Sequence, residues 1–199
     1  MIPTRIGQKS LGGRFAGIIQ VNTLVYAVIS APKDTEITHI PFSNPGVLPR
    51  GYSMNDGLEN TQLMDDLKHP IAQYCLQLAA HGCNDYYLPS CHELELCYRS
   101  FKPTAECNNT RYSVTAGNPN SIPRGNVYTQ TTPAMTIVAC YANSEKFHSG
   151  MYYYWSSTGY RSIYLGKIVQ AFNDGEQDAN HECYDKHIAR PVRRILIVS

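Results

Sequence analysis

The sequence predicts an α+β fold in which an N-terminal β-hairpin pairs with a strand at the very end of the chain. Three observations predict it. Arg14 to Ala31 holds two apolar, β-prone runs around a short turn. Two helix signals follow between Thr61 and Pro103. Several short strand candidates with long loops then lead to the apolar run Ala189 to Val198. Helices grouped between strands, not alternating with them, argue against a parallel α/β sheet.

The first run, Arg14 to Gln20, meets a turn at Val21-Asn22-Thr23. The second, Leu24 to Ser30, is rich in β-branched residues and stops at Ala31-Pro32. Gly12, Gly13 and Gly17 mark a bulge or a close backbone approach. Pro32 to Asn60 is dense in Pro, Gly, Asn and Ser and predicts a long ordered loop. Thr61 to Leu67 starts a turn or two of helix. Pro70 suits the first position of a helix running to Ala80, with Gly82 as its C-terminal cap. Ser90-Cys91-His92-Glu93 is a capping box opening a helix to about Phe101, ended by Pro103. Leu94, Cys97, Tyr98 and Phe101 recur at helical spacing and face the core. Strand candidates follow at Met135 to Tyr141, Met151 to Thr158 and Ile163 to Phe172. Asn173-Asp174-Gly175 is a hairpin-type turn.

The 199 residues suit a single domain over 1–199, with an arm at 1–13, a hairpin at 14–31 and a core at 86–195. Charged residues make up 17% and the net charge is +1, which disfavours nucleic acid as a partner. No apolar run approaches the ~18 residues of a membrane span, and the first residues lack the apolar stretch of a signal peptide. Seven cysteines, an odd number, argue against a full disulfide framework; buried free thiols are the expectation. Fifteen tyrosines supply rings for a β-rich core and for wet interfaces.

Four motifs stand in order: Tyr87-Leu88-Pro89-Ser90-Cys91-His92-Glu93-Leu94, Tyr154-Trp155-Ser156-Ser157-Thr158, Ala171-Phe172 followed by Gly175, and Arg190-Pro191-Val192-Arg193. Together they resemble the Lcl C-terminal domain family, over about Tyr86 to Ile195. The hairpin from Phe15-Ala16-Gly17-Ile18 to Ala31-Pro32-Lys33 resembles the opening of phage virion versions of that domain. The resemblance implies a C-type-lectin-like fold, often homotrimeric, in adhesins and phage surface proteins, with no enzymatic activity. The polar stretch Asn173 to His187 is long for the family, so its loop conformation is not carried over. Leu88, Pro89, Glu93, Trp155, Ser156, Ser157, Arg190 and Arg193 are expected to be structural: Leu88-Pro89 leads extended into the capped helix, Trp155 packs under the sheet, and Ser156 and Ser157 bond to nearby backbone.

Several constellations invite chemistry. His81, Cys83, Cys91 and His92 lack a recognised zinc spacing. Cys183 with His181 or His187 offers Cys–His catalysis, but nothing marks the thiol as activated. Asn173, Asp174, Glu176 and Asp178 form an oxygen-rich run without calcium-loop spacing. Tyr152, Tyr153, Tyr154, Tyr160 and Tyr164 offer rings to sugars, although neighbours along a strand face opposite ways. The expectation is therefore no catalytic residue, no cofactor and no metal. The candidate ligand-binding residues are Tyr152, Tyr160, Asn173, Asp174, Glu176 and Asp178. The candidate binding loops are Pro41 to Asp56, Asn108 to Thr132 and Asn173 to Tyr184.

The expected role is that of a phage virion protein in a tail, baseplate or fibre tip, made in the host cytoplasm. It contacts other virion proteins, a homo-oligomer (a trimer) and a host surface polysaccharide. The alternative is a decoration or baseplate assembly protein with no host ligand.

Overall fold

The computed structural model describes residues 2–48, 50–111, 117–150, 152–160 and 166–198. Among these, the elements begin with β1 (Lys9–Ser10), β2 (Gly13–Val21), β3 (Leu24–Ser30) and β4 (Ile37–Pro41). Three helices follow, α1 (Gly57–Gln62), α2 (Pro70–Gln77) and α3 (Cys91–Phe101), then β5 (Ser121–Ile122) and the helical turn α4 (Ala139–Ala142). The chain closes with β6 (Tyr153–Gly159), β7 (Lys167–Ala171), β8 (Gln177–His181), β9 (Lys186–Ala189) and β10 (Val192–Val198).

The fold is α+β, with two five-stranded sheets. The first runs β1-β2-β3-β10, with β5 beside β2; the terminal strand lies antiparallel on the hairpin, Val192 opposite Ser30. The second runs β4-β9-β6-β7-β8, antiparallel except where β9 meets β6. The helix α3 packs on β2 of one sheet and on β6 and β7 of the other. Its buried residues Leu94, Cys97, Tyr98 and Phe101 meet Ala16, Ile19 and Val28 of the first sheet and Tyr154 and Phe172 of the second. A second core surrounds Trp155, whose ring meets Phe42 and whose Nε1 donates to the Ile40 carbonyl at 2.9 Å.

The structure corrects several expectations. The hairpin turn is only Asn22-Thr23, because Asn22 tolerates φ 55° and lets Val21 pair with Leu24. The arm at 1–13 contributes β1, which folds back on β2. The segment from Pro32 to Asn60 is not one loop. Its Ile37 and Ile40 pack against the Trp155 core, which makes β4 a strand, and Asp56 caps α1 by accepting from Glu59 N at 2.9 Å. The helix at Pro70 ends at Gln77; Gly82 instead lies in the two-residue turn that closes Ala80 on Cys83. The strand expected at Met135 to Tyr141 is absent. Thr136 bonds to the end of α3 through the carbonyls of Lys102 and Ser100, and Ala139 onward turns helical. Residues 151 and 161–165 of the expected strands lie outside the described residues. The polar stretch from Asn173 forms β8 and β9, because the backbone ladders of β8 with β7 and of β9 with β4 and β6 do not need apolar side chains at every position. None of the seven cysteines forms a disulfide; Cys75, Cys91 and Cys97 are buried, whereas Cys107 is exposed and Cys83, Cys140 and Cys183 are half-buried.

The first motif closes around one buried carboxylate. Glu93 closes the capping box by accepting from Ser90 N and Ser90 Oγ, both at 2.8 Å. The same oxygen accepts from Gly57 N at 3.0 Å, and the other from Tyr87 OH at 2.6 Å. A side chain on Gly57 would place its Cβ 2.4 Å from that oxygen, so the first residue of α1 must be glycine. Burial pushes the carboxyl upward, against the pull of the Tyr87 and Ser90 bonds. The second motif hangs on the first: Ser157 N donates to the Pro89 carbonyl at 2.7 Å, and Cys91 N to Thr158 Oγ1 at 2.9 Å. Arg190 spans the sheets. It donates to the Ala31 carbonyl and to Glu145 and stacks over Phe147 at 4.3 Å. Arg193 grips Asp85 through two bonds of 2.7 and 2.8 Å.

Glu93→Ala should lower unfolding stability by about 3–5 kcal/mol, because it strands several buried donors at once. Urea denaturation followed by the single Trp reads this. A loss below about 1 kcal/mol would remove Glu93 from the centre of the fold.

Lys167 makes a second prediction. Its Nζ is fully buried over the Phe42 ring at 4.0 Å and beside Met64 Sδ at 3.8 Å; among the described residues no carboxylate pairs with it. Burial lowers its pKa from 10.5 to about 7. Between those values the unfolded chain holds a proton that the folded chain lacks. The penalty is therefore absent above pH 10.5, grows as pH falls and is complete below about 7. Lys167→Met keeps the volume and removes the penalty. It should stabilise the protein by about 2 kcal/mol more at pH 6 than at pH 9; equal gains at both would show the ammonium is not desolvated.

Candidate binding site

A small pocket of about 100 Å³ opens where β4 meets β9. Thr38 and His39 come from β4, Lys186, His187 and Ile188 from β9, and His148 and Tyr152 from the segment leading into β6. A break in the ladder builds it. The pairing of β4 with β9 slips between Ile37 and Ile40, and His39, inside the slip, takes φ 57°. A residue in that left-handed region leaves the strand's alternation, and a bulge re-aims its side chain. The His39 ring meets Tyr152 edge-on at 6.4 Å, and His148 meets the same ring at 5.9 Å. His148 Nε2 is steadied by Glu36 Oε1 at 3.1 Å. Tyr152 is 49% exposed. A half-exposed aromatic ring flanked by imidazole donors and an ammonium suits a polar, hydroxyl-bearing ligand with one apolar face.

His187 is the back wall. Its ring packs against Trp155 at 4.6 Å and Tyr153 at 5.7 Å, and its Nε2 lies 2.9 Å from His181 Nδ1. Burial, then the neighbouring His181, lowers its pKa to about 4, so it stays neutral near pH 7. A wider trough of about 930 Å³ runs beside the N-terminal arm, past Lys9, Arg14, His81 and Arg193. Three of these four are already engaged: Arg193 with Asp85, Arg14 with the Gly7 carbonyl and His81 with Asp34. The smaller pocket is the one that presents a half-exposed aromatic ring, Tyr152.

The candidate ligand-binding residues do not gather in one place. Tyr152 lines the pocket, but Tyr160 lies beyond the other end of β6, where its N–H donates to the Gly166 carbonyl. Eight residues of strand place the two roughly 26 Å apart. Tyr164 lies outside the described residues. The oxygen-rich run disperses along the β7–β8 hairpin: Asn173 donates to Glu106, Asp174 accepts from Glu176 N, Glu176 accepts from Tyr153 OH, and Asp178 faces His181. These four do not converge on one point, because turn and strand geometry aims them at different neighbours. Cys183 packs against the Trp155 core, and its carbonyl accepts from Ser43 N. His81 and Cys83 sit in the turn after α2, whereas Cys91 is buried against Ile168 and Ala179. Of the expected binding loops, Pro41 to Asp56 runs from β4 to α1 without lining the pocket, and residues 112–116 of Asn108 to Thr132 lie outside the described residues.

Sequence reading missed His39, His148 and Lys186, and considered His187 only as a partner of Cys183. No local signal marks them, since three distant segments supply the pocket. Comparison of the chain with protein-family models, with curated proteins and with solved structures gave no match.

Proposed function

We propose that this chain is a non-catalytic recognition and assembly module of a phage virion, built on a C-type-lectin-like scaffold of the Lcl C-terminal domain kind. One observation carries the reading. The motif residues behind the resemblance are spent on holding the fold, and the exposed pocket at Tyr152 lies outside them. A scaffold with its chemistry displaced to the surface is the arrangement of a binding domain. Several copies, in a homotrimer for instance, present the Tyr152 pocket to a host surface polysaccharide, and avidity raises a weak single-site affinity. No helix among the described residues is long and apolar enough to cross a membrane.

A second reading, assembly against neighbouring virion proteins with no host ligand, is favoured by β10. It ends the first sheet and carries the exposed Leu196. An apolar edge strand is a ready partner for another chain.

Mass photometry of the purified protein, with and without intact polysaccharide from the bacterial host, separates the two. The recognition reading expects an oligomer that captures polysaccharide, and a five- to thirty-fold loss of capture in Tyr152→Ala with its melting temperature unchanged. An oligomer that ignores the polysaccharide would sink recognition and leave assembly.

A further inference from the structure

The crossing from β8 to β9 brings three potential ligands together. His181, Asp185 and His187 each place one donor atom within 4.8 Å of the other two, and all three are half-buried. His181 Nδ1 lies 2.9 Å from His187 Nε2 and 3.4 Å from Asp185 Oδ2. Two ligands at metal–donor distances of 2.0–2.1 Å in a tetrahedral site are about 3.3 Å apart. Asp185 Oδ2 is already at that spacing from His181 Nδ1, the two imidazole nitrogens need to open by only a few tenths of an ångström, and Asp185 and His187 stand within 4.8 Å of each other.

The surroundings hold the donors in place. His181 Nε2 faces Asp178 Oδ2 at 3.5 Å. A carboxylate behind the distal nitrogen keeps the proton there and turns the Nδ1 lone pair toward the other donors. The rings are packed too: Tyr153 covers His181 at 4.7 Å, and Trp155 abuts His187 at 4.6 Å. Asp185 is set by a turn in which its Oδ2 accepts from Glu182 N at 3.0 Å and its own N–H donates to the Glu182 carbonyl at 3.0 Å. The two histidines are thus ordered by aromatic packing and the carboxylate by backbone, without any ion.

We infer that His181, Asp185 and His187 form a binding site for a late first-row divalent transition metal ion, with Zn²⁺ the representative. Two imidazoles and one carboxylate match borderline ions and offer too few oxygens for calcium or magnesium. Three protein ligands leave a position for water on the solvent side. Both imidazoles bind as neutral rings, and the proton now between them moves to His187 Nδ1. The ion would tie the β8–β9 crossing to β9 and fix His187, which also walls the Tyr152 pocket. The inference does not depend on the polysaccharide reading.

The test uses the whole chain, stripped with a chelator and then titrated with Zn²⁺ by calorimetry, with metal content read by mass spectrometry. The expected result is one ion per chain, a melting temperature raised by several degrees in excess Zn²⁺, and no shift with Ca²⁺ or Mg²⁺. His181→Ala and, independently, Asp185→Asn should each weaken binding at least tenfold. The second variant lies on an exposed turn and guards against loss of fold, which circular dichroism checks. His81→Ala, at a histidine far along the chain, should bind as the parent does. Absence of Zn²⁺ binding, or binding unchanged in both cluster variants, would overturn the site.

Discussion

A carboxylate with no exposure to water is unfavourable unless its lone pairs are filled, and Glu93 fills them from four donors on three residues. Each bond does a separate mechanical task. The Ser90 bonds start α3, where the helix dipole also favours a negative charge. The Gly57 bond anchors α1. The Tyr87 bond holds the strand-like stretch whose backbone pairs with Val192 of β10 through bonds of 2.9 and 3.0 Å. Removing the carboxylate would therefore loosen the helix between the sheets, the helix beneath the second sheet and the closing strand together.

The rest of the polar interior repeats this logic with cations. Arg190 stands between the sheets with its guanidinium over Phe147 and its N–H groups on Ala31 and Glu145. Its planar fork satisfies carbonyl and carboxylate while its face packs as an aromatic neighbour would. Lys167 rests instead on the Phe42 ring and the Met64 sulfur, with no carboxylate partner among the described residues, which is why its ammonium is the weaker part of the core. Buried charge here joins elements whose apolar faces would otherwise slide over one another.

Surface chemistry collects on the second sheet, at the end where β4, β9 and the approach to β6 meet. The bulge at Thr38-His39 and the crossing from Glu182 to Asp185 both break regular pairing, and each aims imidazoles that a plain strand would have buried or splayed. His187 belongs to both features, facing His181 on one side and the Tyr152 pocket on the other. Whatever binds at one is thereby mechanically linked to the other through a single ring packed on Trp155.

What the sequence by itself determined was everything carried by local rules. The capping box at Ser90–Glu93 starts α3 as read, because its partners are three residues apart. The hairpin and the closing strand follow from β-branched apolar runs, and their antiparallel pairing appears in β3 and β10. The tertiary structure alone decided the rest. Strand β8 reads Gln-Asp-Ala-Asn-His and has no apolar alternation; it is a strand because the open edge of β7 pairs with its backbone. Met135 to Tyr141 looks like a strand, yet no ladder receives it, and the end of α3 takes its hydrogen bonds instead. Trp155, Arg190 and Glu93 were recognisable as structural residues, but Ile40, Ala31, Glu145 and Gly57, which they also serve, lie on segments no motif predicts. The pocket depends on long-range register and on one residue at positive φ, which no short stretch of sequence encodes, whereas the His181–Asp185–His187 cluster depends on the turn that leads from β8 into β9.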